Sequence, residues 1–264
     1  MPITLHDVHH AYPDGTLAVR GVDLTVDRGE RLAIVGQNGA GKTTTVKLMN
    51  GLLRPTRGTV TIDGQPTAGR TTARIARQVG YVFQNPDDQI FAGDVRTELT
   101  LVPRYLRWDA AYTAERVTRA VDLTGIAPHL DSNPNDLPFP VRKFVAIAAI
   151  LVGTCDYVIL DEPTAGLDRP GTRQLLALMD RLRDEGIAVV TITHDMRFVA
   201  DAFPRVVAMA DGTVIADGTA ADVFADDDVL ARSQLQRLEV AQLARNLHLT
   251  DRAIRIDDVL HLIP

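Results

Sequence analysis

Apolar and polar positions along this chain change period repeatedly, and each change predicts an element. Residues 3–8 alternate, with Ile3, Leu5 and Val8 apolar and one slip before Val8, and Val22-Asp23-Leu24-Thr25-Val26 alternates without a slip. Both read as half-buried antiparallel strands. Arg31 to Val35 is a short apolar run ending at glycine, as expected of a strand covered on both faces. A helical stretch from Thr44 to Asn50 follows, closed by Gly51. Gly58 to Ile62 alternates again and ends in the turn signal Asp63-Gly64.

The second half repeats the scheme on a larger scale. Residues 108–153 are Ala-rich with a helical period, interrupted by the stretch from Asp131 to Pro140. Two buried-strand runs, Tyr157 to Leu160 and Ala188 to Thr193, flank an amphipathic helix from Gly171 to Glu185, and Val206 to Ala216 reads as a hairpin about Asp211-Gly212. Buried strands alternating with helices predict an α/β fold with a mainly parallel sheet. From about residue 219 the chain turns acidic and then helical, with Leu235, Leu238, Leu243 and Leu247 spaced to cap a core or to meet a second subunit. No internal repeat or low-complexity segment interrupts it.

Composition narrows the function classes. At 264 residues the chain can bury a large core, and its net charge of -6 argues against general nucleic-acid binding. The single cysteine, Cys155, rules out an internal disulfide and fits a reducing cytoplasm. The opening MPITLHDVHH lacks the pattern of a signal peptide, and the longest apolar run, Phe144 to Val152, is too short to span a bilayer. No direct membrane insertion is expected. Lysine occurs only at 42, 47 and 143 in an otherwise arginine-based set of cations, which reads as a genome-composition signature. The spacing of His6, His9, His10, His129, His248 and His261 does not suggest metal ligation.

Two motifs carry chemistry. Gly36-Gln37-Asn38-Gly39-Ala40-Gly41-Lys42-Thr43-Thr44 matches G-x-x-x-x-G-K-[ST] between an apolar strand and a helix. Glycines there let backbone N–H groups turn inward onto phosphate oxygens, and the helix adds its positive end. Lys42 is placed to reach the β- and γ-phosphates of ATP, and the Thr43 hydroxyl to ligate Mg²⁺. The second motif, Tyr157-Val-Ile-Leu-Asp161-Glu162-Pro, delivers Asp161 at a strand end as a further Mg²⁺ ligand. Glu162 follows it, placed to polarise an attacking water.

These residues and their neighbours resemble the ATP-binding cassette (ABC) ATPases from about residue 3 to 218. The resemblance implies a P-loop fold with a mainly parallel core, an antiparallel β subdomain and a helical subdomain near 86–153. Residues 219–264 would then form a small C-terminal helical extension. Asp161 to Asp168 resembles the joined Walker B motif and D-loop. Gln84 in Tyr81-Val-Phe-Gln-Asn-Pro resembles the Q-loop glutamine, a further Mg²⁺ contact. His194 resembles the switch histidine, and Tyr12 the aromatic that stacks on adenine. A narrower likeness, Phe83-Gln-Asn-Pro-Asp-Asp-Gln-Ile-Phe91, is to ATPases of energy-coupling factor (ECF) transporters, importers of vitamins and transition-metal ions. That likeness implies a second ATPase subunit, a membrane T component and a substrate-capturing S component, with this chain peripheral on the cytoplasmic face of the cell membrane. The ATPase of a conventional ABC importer is the alternative, and a non-transport ABC ATPase would be expected to carry insertions or tandem cassettes.

One departure stands out. Where the family has Leu-Ser-Gly-Gly-Gln, this chain has Leu137-Pro138-Phe139-Pro140-Val141. Proline has no N–H to offer, and Phe139 adds bulk where glycine permits close approach. In the family this signature closes over ATP held by the other subunit. A homodimer would therefore hold two poor sites, and a heterodimer with an intact partner would hold one good one.

Overall fold

The computed structural model describes residues 2–250 and 252–262. Its strands are β1 (Ile3–Ala11), β2 (Leu17–Val26), β3 (Arg31–Val35), β4 (Arg57–Ile62), β5 (Gln65–Pro66), β6 (Val79–Val82), β7 (Tyr157–Asp161), β8 (Ala188–Ile192), β9 (Arg205–Ala210) and β10 (Thr213–Gly218). Its helices are α1 (Lys42–Met49), α2 (Thr72–Ala76), α3 (Val95–Leu106), α4 (Ala110–Thr124), α5 (Phe139–Val152), α6 (Arg169–Asp184), α7 (Met196–Ala202), α8 (Ala220–Ala225), α9 (Asp227–Ser233), α10 (Glu239–Asn246) and α11 (Ile256–Leu260).

One sheet is antiparallel, in the order β2-β1-β4-β5. The slip in the first alternating run is a real irregularity: the ladder shifts between Leu5 and Val8, and Asp7 adopts φ 44°. That extra residue returns Val8 to the core face, so Ile3, Leu5 and Val8 are all buried. Gly58 on β4 accepts the shift because it has no Cβ; one built there would lie 2.0 Å from the Asp7 carbonyl oxygen.

The second sheet runs β10-β9-β3-β8-β7-β6, parallel except for the β9–β10 hairpin. β3, β7 and β8 are buried almost throughout because helices cover one face and the first sheet with α1 covers the other. The helical region begins earlier than its Ala-rich part suggests, at Val95, where the Asp94 carboxylate caps α3 by accepting from the Thr97 N–H at 2.8 Å.

The C-terminal leucines divide their duties. Leu235 and Leu238 pack against the main core, whereas Leu243 and Leu247 are exposed. Ala244, Ala253 and Val259 form a small separate core beyond them. Among the described residues no helix is long and apolar enough to cross a membrane.

Candidate functional site

Parallel pairing decides where the site lies. In the order β3-β8-β7-β6, neighbouring strands end side by side, so the segments that follow them emerge along one sheet edge. After β3 comes the loop from Gly36 to Thr44, after β8 His194, at the end of β7 Asp161 and Glu162, and after β6 Gln84. The crevice beyond the carboxyl ends of parallel strands is where open α/β sheets bind ligands.

The loop's conformation requires its glycines. Gly36, Gly39 and Gly41 have φ of 142°, 83° and 96°. A Cβ on Gly36 would meet the Met209 carbonyl oxygen at 2.2 Å, and one on Gly41 the Ala18 carbonyl oxygen at 2.5 Å. Ala40 is buried, and the Gln37 carbonyl accepts from its N–H at 3.2 Å, which tightens the turn. Lys42 opens α1, its ammonium donating to the carbonyls of Gly36 at 2.7 Å and Gln37 at 2.9 Å. Burial lowers its pKa, with Glu162 and Asp161 opposing. This is a cation held against loop carbonyls that a phosphate oxygen can displace, on a backbone shaped to cradle it. Thr43 is exposed beside it, whereas Thr44 is buried.

Tyr12, just past β1, reaches the same place: its hydroxyl lies 3.0 Å from Thr44 Oγ1, and the His10 ring stacks edge-on at 4.9 Å. The strand it follows, β1, runs between β2 and β4. Its ring thus sits beside the loop, where an aromatic base bound with its phosphates in the cradle could stack.

Asp161 accepts a hydrogen bond from the Tyr81 hydroxyl at 2.6 Å, and burial raises its pKa against that bond. A half-buried carboxylate at the end of β7 and the exposed Thr43 hydroxyl in the segment after β3, on the same sheet edge, supply oxygen donors of the kind Mg²⁺ takes. Glu162 has φ 47°, unusual for a residue with a side chain, and its carboxylate is largely covered. His194 Nδ1 lies 2.7 Å from Glu162 Oε1. Gln84 is exposed on the wall of a cleft of about 880 Å³ that Asn38, Glu162 and His194 also line. A glutamine after an apolar strand needs a polar partner for its amide. Here the strand ends at the crevice and leaves the amide open to solvent and to whatever the cleft holds.

The degenerate segment heads α5. Leu137 ends a 3-10 turn, Pro138 is the N-cap without a side-chain cap, and Phe139, Pro140 and Val141 form the first turn. A helix presents about four free N–H groups at this end. Two of those positions are proline here, which leaves the N–H groups of Phe139 and Val141. Asp168 caps α6 by accepting from the Gly171 N–H at 2.8 Å.

Several residues at the site escaped sequence reasoning. Gln89 accepts from the Phe83 N–H at 3.0 Å and donates to the Ala146 carbonyl at 2.9 Å, tying the Gln84 loop to α5. Residues 234–239 form the far wall of the cleft. Lys143 donates to the carbonyls of Glu162 and Ala165. A signal for it existed: in an arginine-based chain the three lysines are 42, 47 and 143, and the charges of Lys42 and Lys47 act on Asp161.

Comparison with known proteins agrees with this geometry. The family profile described as ABC transporter matches residues 19–165. A putative ABC transporter ATP-binding protein of Streptomyces coelicolor is 42% identical over 226 residues, 86% of each chain. The energy-coupling factor transporter ATP-binding protein EcfA of Methanothermobacter thermautotrophicus is 35% identical over 265 residues, covering 98% of this chain and 85% of that one. Among solved structures, CbiO1 of Clostridium perfringens, described as part of the ABC transporter complex CbiONQ, superposes with a TM-score of 0.80. It is 32% identical and covers 93% of this chain and 98% of its own.

Proposed function

This chain belongs to the ABC transporter ATPase family as an ATP-binding subunit, and we propose that it energises an ECF-type importer of a vitamin or transition-metal ion as one half of an asymmetric ATPase heterodimer. The observation that carries the asymmetry is the head of α5, where two prolines remove donors while the cradle, Asp161, Glu162 and His194 stand together within the same chain. Missing charge-assisted donors cost about 1.5–3 kcal/mol each where a phosphate must be held. An intact signature on the partner subunit would complete this chain's site, and this chain would serve the partner's site poorly.

In this reading Lys42 and the loop N–H groups bind the β- and γ-phosphates, and Tyr12 carries the adenine. Thr43, Asp161 and Gln84 would hold Mg²⁺, which would neutralise charge on the phosphate oxygens. Glu162 accepts a proton from the attacking water, and His194 holds the Glu162 carboxylate in place from the end of β8. The ECF type is supported by the relatives named EcfA, at 35% to 39% identity. An apolar groove of about 440 Å³ lined by Val102, Tyr105, Leu106 and Trp108, with Phe91 exposed nearby in sequence, offers a T component a landing surface.

The test is ATP turnover by the purified chain alone and after co-expression with candidate second ATPase subunits that carry an intact signature. Turnover at least about tenfold faster in the pair supports the heterodimer; brisk turnover by the isolated chain overturns it. Co-purification with a small membrane S component separates an ECF importer from a conventional one.

A further inference from the structure

We infer that Lys143 is a positioning residue for hydrolysis, fixing the turn that carries Glu162; this rests on reading Glu162 as the group that polarises water. Lys143 lies in the first half of α5 and is 1% exposed. Its ammonium donates to the Glu162 carbonyl at 3.0 Å and the Ala165 carbonyl at 2.8 Å. Those carbonyls bracket a turn that the Ala165 N–H closes on the Glu162 carbonyl at 3.2 Å. On the other side, the Glu162 N–H donates to the Ile192 carbonyl of β8 at 2.8 Å. The left-handed Glu162 backbone is thus gripped from both sides, as a strained conformation must be in order to persist.

The surroundings strengthen the grip. The Phe139 ring lies over the ammonium, its centroid 5.4 Å from Nζ. The same ring presses on the turn at Gly166, where an added Cβ would lie 2.6 Å from Phe139 Cε1. Shielded from water, the ammonium donates to these two carbonyls, and polar contacts strengthen in such surroundings. Burial also pulls the Lys143 pKa down to about 8, against the opposing charges of Glu162 and Asp161. Lys143 therefore joins the first turns of α5, where the signature is degenerate, to the peptide that aims the Glu162 carboxylate at His194. Catalysis is sensitive to aim, and a misplacement on the order of 1 Å can cost about a hundredfold.

The experiment compares Lys143→Met, Lys143→Arg and Glu162→Gln in the full chain purified with its ATPase partner. It reads kcat and KM for ATP, thermal unfolding, and hydrogen exchange at the amides of residues 164–167. Lys143→Met is expected to lower kcat by about tenfold to a hundredfold with KM within about twofold, and to speed exchange in the turn. Lys143→Arg, which keeps donors on a long stem, is expected to recover most of kcat. Unchanged kcat and exchange in Lys143→Met overturn the inference, as does a loss that Arg fails to rescue. Should Lys143→Met not fold, Lys143→Gln, which is uncharged and one atom too short to reach both carbonyls, takes its place with the same fall in kcat and faster exchange expected. Wild-type turnover by Glu162→Gln overturns the reading of Glu162 together with the catalytic consequence drawn here. Loss in Glu162→Gln beside an unaffected Lys143→Met overturns this inference alone.

Discussion

The imidazole Nδ1 of His194 lies 2.7 Å from Oε1 of Glu162, joining the end of β8 to the end of β7. The two side chains differ in exposure: that of His194 is 77% open to solvent and that of Glu162 13%. An exposed ring thus holds a covered carboxylate in one orientation. Both come from strands whose parallel pairing, Asp161 opposite Ile192, leaves their successors adjacent.

Removing that ring is expected to disorient the carboxylate without touching the phosphate cradle. His194→Ala should lower kcat by about a hundredfold while leaving the Kd for ATP within about threefold of the parent. Stopped-flow phosphate release and binding of a fluorescent ATP analogue check the two halves separately. Weakened binding with unchanged kcat would place His194 outside the chemistry.

The cradle's glycines are not equivalent. Gly41→Ala drives a Cβ to 2.5 Å from a backbone carbonyl at φ 96°, so a loss of about 2–4 kcal/mol of stability and of ATP binding is expected. Gly39→Ala meets no atom within 4 Å and carries only the cost of its φ of 83°, about 1–2 kcal/mol. Urea unfolding and ATP titration of the two variants should rank them in that order.

Cys155 reports on the core beneath the helices. It is buried, and burial pushes its thiol up from 9.0 to about 11. The native protein should react with thiol reagents at pH 8 at least about a hundredfold more slowly than the unfolded chain. Between pH 9 and 11 the folded state keeps a proton that the unfolded state loses, so this group's contribution to stability falls as pH rises through that window. Replacement by Ala should flatten that part of the profile, as denaturant midpoints at several pH values would show.

The apolar groove can be disabled without disturbing the nucleotide site. Tyr105 is 83% exposed at its rim, so Tyr105→Ser should change stability by no more than about 0.5 kcal/mol and leave basal ATP turnover intact. If a T component docks there, co-purification with the membrane complex should drop sharply. Undiminished co-purification by a double variant that also carries Val102→Ser would rule out the groove as the landing surface.

The cradle was legible from Gly36 to Thr44 because its chemistry is local: glycine spacing, a strand before and a helix after are all within one short segment. Asp161 and Glu162 were legible for the same reason, at the end of an apolar run. Even the bulge at Asp7 announced itself as a slip in the alternation of Ile3, Leu5 and Val8. Lys143 was different. Read along the chain it is one cation in a helix; only α5 lying beneath the Glu162–Ala165 turn gives it two carbonyls to hold.

The chain's own order of residues determined that it binds a nucleotide and that the head of α5 is short of donors, since glycine, proline and lysine carry those consequences wherever they stand. Tertiary structure alone decided that His194 meets Glu162, that Gln84 faces solvent, and that residues 234–239 wall the cleft. Those relationships depend on strand order, β3 beside β8 and β8 beside β7, and on helices crossing between distant segments. Side-chain periodicity reports which face of an element is buried. It does not report which neighbour buries it, because many partners of equal hydrophobicity would satisfy the same pattern.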